Sequence, residues 1–137
     1  MATVNLWPTD ITADTGLEGP VVILKEQAAL LGQTTKNLVE AEVESGLNDN
    51  SANFVDRFVI YSAVLNYHYQ LFYVEYPVGF YPAVVVWDGF TNKDIAPVTL
   101  TGRLVHTQQE LEATLQEIFS HKKTVGIIQT LISRARA

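Results

Sequence analysis

FVDRFVIYSAVLNYHYQLFYVEYPVGFYPAVVVW, residues 54–87, carries 11 of the chain's 14 aromatic residues and reads as three strands in succession. In the first, about 54–65, Phe58, Ile60 and Val64 fall on one side and Val59, Tyr61, Ala63 and Leu65 on the other. Neither side is polar, so this strand is expected to be central and covered on both faces. Asn66-Tyr67-His68 reads as a turn into a strand over 69–76, in which Phe72 and Val74 oppose Leu71 and Tyr73. Pro77 and Gly79 break that strand. Tyr81-Pro82 puts proline at a strand start, where no ladder donor is lost, and Ala83 to Trp87 forms a short apolar strand. The short connections predict antiparallel pairing in a meander.

Upstream, Gly19-Pro20 opens a helix over 20–31, with Val21, Leu24, Ala28 and Leu31 on one stripe. Gly32 is expected to end it in the left-handed conformation. From Leu38 to Ser45 the period changes to two, with Val39, Ala41 and Val43 against Glu40, Glu42 and Glu44. That is a half-buried strand. Residues 46–53, GLNDNSAN, read as a loop. Residues 1–19 read as irregular, laid across the body and pinned by Trp7.

Downstream, 88–97 reads as a loop and 98–104 as a fifth strand. Thr107 to Glu110 fits a capping box ahead of the stripe Leu111, Leu115, Ile118, Phe119. Ser120 is placed to end that helix and cap the next, whose stripe holds Ile127, Ile128, Leu131 and Ile132. The expected architecture is a single α+β domain over 1–137. Its core is a four-stranded, or five-stranded, antiparallel meander with an N-terminal helix and two C-terminal helices packed on it.

A chain of 137 residues is one domain by length, and nothing in it runs apolar long enough to span a bilayer. The first residues have neither a basic start nor an apolar block, so a secretory signal is not expected. Cysteine is absent, which excludes disulfides and thiolate chemistry and makes a cytoplasmic location the expectation. Net charge is −6; residues 1–102 contribute −8 and residues 103–137 contribute +2. An acidic surface repels phosphate backbones, so nucleic acid is not an expected partner, and nor is a membrane. Lys122, Lys123, Arg134 and Arg136 are explained by the helix dipole.

Chemistry-bearing residues are few. Glu40, Glu42 and Glu44 share one strand face and read as its solvated side rather than as a cation cage. His68, His106 and His121 match no zinc spacing, Ser62 has no glycine elbow, and no glycine-rich phosphate loop exists. No metal, cofactor or catalytic residue is expected. All six tyrosines lie between 61 and 81, and packing accounts for them most simply.

The runs ILKEQAALLGQTTKNLVEAEV and YSAVLNYHYQLFYVEYPVGFYPAVVV resemble a family of small uncharacterised bacterial α+β proteins. The motifs concerned are Leu30 to Gly32, the Thr35 to Val39 strand, Asn66 to Phe72 and Tyr81-Pro82. The resemblance implies a domain family and no activity. The leading expectation is therefore a non-catalytic binding or protein-interaction module. The alternative is a small-molecule site or enzyme in a pocket lined by Tyr67, His68, Tyr69 and Tyr73. Self-association as a homodimer is expected, with Tyr69, Tyr73 and Trp87 as candidates for the interface centre.

Overall fold

Five strands form one antiparallel sheet in sequence order: β1 (Glu40–Leu47), β2 (Phe54–Ser62), β3 (Tyr67–Tyr76), β4 (Ala83–Val86) and β5 (Gly102–Val105). Helix α1 (Pro20–Thr34) precedes them; α2 (Gln108–Ser120) and α3 (Lys122–Ala135) follow. The computed structural model describes residues 3–13, 16, 18–90 and 102–137. The α+β meander is as expected, with five strands. The fifth starts at Gly102, and the earlier part of its expected span, 98–101, lies outside the described residues.

Pro20 takes the first helical position after Gly19, but α1 runs through Gly32 to Thr34. The left-handed residues are Lys36 (φ 54°) and Asn37 (φ 64°), not Gly32. Asparagine tolerates that conformation, and the Asn37 N–H donates to the Gly32 carbonyl at 2.8 Å. The Thr35 hydroxyl ties the turn by donating to the Val39 carbonyl at 2.6 Å and accepting the Val39 N–H at 3.2 Å. Thr35 to Val39 is thus a turn, and the strand begins at Glu40. Trp7 pins nothing: it is 71% exposed.

All three helices pack on one face of the sheet. Ile23, Leu24 and Ala28 of α1, Leu111, Leu115 and Ile118 of α2 and Leu131 of α3 meet Phe58, Ile60, Phe72, Val74, Val85 and Val105. β2 is central and buried on both faces, as expected, but among the described residues no helix covers the second face. Val55 and Val59 on the helix-free face are buried. Their cross-strand neighbours there are long polar chains: Val59 stands between Glu42 and Gln70, and Val55 faces Glu75. The aliphatic stems of such chains cover small apolar residues while their heads stay in water.

Two local features set which side chain faces where. The β2–β3 connection is Ala63–Asn66, with Asn66 at φ 52°, so Tyr67 and His68 start β3 rather than forming the turn. Between Phe58 and Val59 the register slips, their partners being Phe72 and Gln70. Leu71 is the extra residue of a β-bulge, and both Leu71 and Phe72 are buried in the core.

At the C-terminal end, the Thr107 hydroxyl accepts the Glu110 N–H at 3.1 Å, as the capping pattern predicts. The Glu110 carboxylate reaches back to the N–H of His106. His121, not Ser120, divides the helices: its Nδ1 accepts the Lys123 N–H at 3.1 Å. The Ser120 hydroxyl bonds backwards to the Gln116 carbonyl. Among the described residues no helix is long and apolar enough to cross a membrane.

Candidate functional site

Strand alternation, interrupted by the bulge, decides which of the expected site residues meet. Tyr67 and Tyr69 lie on the helix-side face, and both line a groove against α3. His68 points to the helix-free face, where its ring stacks on Tyr61 at 5.5 Å and 15°. Without the bulge Tyr73 would share the face of Tyr69; the extra Leu71 sends it to the opposite one, beside Arg57, Gln70 and Glu75. The tyrosine/histidine quartet therefore does not converge. Trp87 is 2% exposed and packs edge-on to Phe90 and His121, each about 5 Å away. It is a core residue, which removes it from the interface candidates. Tyr69 is half-buried in the groove and Tyr73 half-buried on the far face.

The groove between the start of β3 and α3 has a volume of about 820 Å³. Leu65, Ile127 and Leu131 give it an apolar floor, and Tyr67 and Tyr69 form one wall. The other wall is a row at helical spacing, Lys122, Gly126, Thr130 and Arg134, with Lys123 beside it. Twelve residues of helix separate the end cations, about 18 Å at about 1.5 Å per residue. Gly126 leaves the middle of the row open: a Cβ there would meet nothing within 4 Å.

The electrostatics are one-sided. Among the described residues no aspartate or glutamate lines the groove, although acids outnumber bases 15 to 9 in the chain. Lys123 pairs with Asp88 at 2.9 Å. Lys122 and Arg134 have no carboxylate within ion-pair distance among the described residues. The first turn of α3 holds two lysines and no acid, which the positive end of a helix dipole disfavours. The dipole explains Arg134, in the last turn; it does not explain Lys122 and Lys123.

Elsewhere, the helix-free face gathers Glu40, Glu42, Tyr61 and His68. A hydrogen bond to Glu40, with burial and the charge of Glu42, pushes the Tyr61 hydroxyl above its usual range. His68 Nε2 stands 4.0 Å from a Glu42 oxygen. Among the described residues no three His, Cys, Asp or Glu side chains come close enough to hold a metal ion.

Sequence reasoning missed one buried acid. Asp56, 1% exposed, lies on the helix-side face and accepts from the Ser45 hydroxyl at 2.7 Å and from the Tyr76 hydroxyl. Burial and the Asp56 hydrogen bond push the Tyr76 hydroxyl far above its usual range. The signal was present, since Asp56 is in phase with Phe58 and Ile60. No family model, no curated protein and no solved structure matches the chain.

Proposed function

We propose that the protein is a non-catalytic interaction module whose β3–α3 groove holds a short, extended, acidic segment of another protein. The observation that carries this reading is that, among the described residues, every charged side chain lining the groove is a cation, on a chain of net charge −6. Its length suits about five or six extended residues at about 3.3 Å each. Acidic side chains at the two ends would meet Lys122 and Arg134. An aromatic or aliphatic residue between them would lie on Ile127 and Leu131 beside Tyr69. A lining that spaces Lys122 and Arg134 at the two ends of a helical row suits a peptide better than a small molecule. The reading includes a cytoplasmic location, which rests on the cysteine-free sequence. Kinship with the small bacterial family rests on the motifs quoted above and assigns no residue a role.

The test is a fluorescence-polarisation titration with a labelled six-residue peptide carrying Asp or Glu at both ends and Phe in the middle. A peptide with Lys in place of the acids is the control. Saturable binding of the acidic peptide alone, lost in the Lys122→Glu and Arg134→Glu variants, is the expected result. Equal binding of both peptides, or no difference between wild type and variants, would reject the assignment.

Self-association as a homodimer is a second reading. Val84, Val86 and Leu104 form an apolar strip at the β4–β5 end of the helix-free face, and Leu104 is 52% exposed. Such a strip, with Tyr73 next to Val86 across the β3–β4 pair, suits a two-fold contact. Light scattering behind size exclusion at micromolar concentration should give twice the chain mass, and Leu104→Glu should halve it. A single-chain mass for the wild type ends this reading.

A further inference from the structure

On the other side of α3 from the cationic groove, a chamber of about 200 Å³ lies between α1 and the α2–α3 pair. Its floor is the sheet core, Phe58, Ile60 and Leu71, and Leu31, Phe119 and Ile128 are among its walls. Among the described residues no charged side chain lines it. Thr124, in the first turn of α3, also lines it and is 0% exposed. Its hydroxyl has no hydrogen-bond partner among the described residues. Buried hydroxyls are as a rule bonded, and a helical threonine ordinarily turns back to a carbonyl of the preceding turn. Thr124 does neither.

We propose that this chamber is a binding site for a small neutral molecule, one ring or a short chain in size, with a single hydrogen-bonding group that meets Thr124 Oγ1. The size fits: an apolar cavity of about 150 Å³ stays dry and accepts benzene. An ordered water is the poorer occupant, because it typically makes about three hydrogen bonds and the described lining leaves two side-chain partners. The Thr34 hydroxyl on the lining is already engaged with the Leu30 carbonyl at 2.8 Å, which leaves Thr124 and the half-buried Gln27. The neutral lining excludes the acidic ligands assigned to the groove.

Entry is built into the helical layer. Two further clefts adjoin the chamber, one sharing Gln27 and Phe119 with it, the other Leu31, Thr34 and Ile128. The three make a continuous slot between α1 and the C-terminal helices.

Phenol and benzene, titrated separately by calorimetry into the whole chain, test the assignment. Wild type should bind both and prefer phenol by about fivefold or more, the worth of one hydrogen bond. Thr124→Val keeps the shape and should erase the preference while leaving benzene binding intact. Ile128→Phe should fill the chamber and abolish both. Lys122→Gln, in the cationic groove, should change neither, which separates this site from that one. Absence of saturable binding by the wild type overturns the site. An undiminished phenol preference in Thr124→Val overturns the role of Thr124. Loss of phenol binding in Lys122→Gln would move the ligand to the groove.

Discussion

Asp56 joins three strands through two hydroxyls: Ser45 on β1 and Tyr76 on β3 both donate to it. Removing the Tyr76 hydroxyl leaves a buried Asp56 oxygen short of a hydrogen bond, so Tyr76→Phe should cost about 1–3 kcal/mol. The pH dependence has a definite sign. The Tyr76 proton is held more tightly in the folded chain than in the unfolded one, where a tyrosine titrates near about pH 10. Its contribution is fully present below that pH and declines as pH rises toward the folded-state value. The stability gap between wild type and Tyr76→Phe should therefore narrow in alkaline urea titrations. A gap that stays constant above pH ~10 would contradict the hydrogen bond. Leu24 tests the core: it is 0% exposed, so Leu24→Ala should cost about 2–5 kcal/mol. Leu31, only half-buried along the slot, should cost about 1 kcal/mol.

Helix α3 buries only Thr124 and Leu131 fully. Of its stripe Ile127, Ile128, Leu131 and Ile132, only Leu131 is fully buried, because a groove opens on each flank. Gly126→Ala should raise stability by about 0.5–1 kcal/mol, since the new methyl meets nothing and mid-helix glycine is costly. The same methyl stands in the groove and should weaken acidic-peptide binding; denaturation and polarisation read the two effects separately. Stabilisation without weaker binding would put the peptide elsewhere. The elements themselves were legible from periodicity: α1, the alternating β1, the aromatic strands and the Thr107 cap all came from local pattern. The faces were less so. The placement of Tyr73 depends on the Leu71 bulge, which is a fact of cross-strand register and leaves no local mark in the sequence. The end of α1 was misplaced because glycine is only one route to a left-handed turn, and Asn37, whose N–H donates to the Gly32 carbonyl inside the turn that Thr35 and Val39 close, supplies another. The cations of α3 were visible as residues. Their convergence on Tyr67 and Tyr69 was not, because it joins positions more than fifty residues apart.

At the scale of the whole molecule, no second layer covers the helix-free sheet face among the described residues. Long polar chains shield Val55 and Val59, which leaves the apolar strip at Val84, Val86 and Leu104 at one end. Charge is divided across the same sheet, and binding at the groove should follow salt accordingly. Raising ionic strength from about 0.01 M to about 0.15 M shortens the Debye length from about 30 Å to about 8 Å. The acidic peptide should then bind markedly more weakly; salt-independent affinity would mean that the apolar floor alone does the holding. Glu40, Glu42 and Glu44 lie on one side of the sheet, while Lys122, Lys123 and Arg134 lie beyond the other. Seen from far away, such a body is an electric dipole as well as a net anion, and a charged surface exerts a torque on it. On a positively charged support the chain should settle glutamate side down, so immobilisation by charge alone would leave the α3 groove facing the solution.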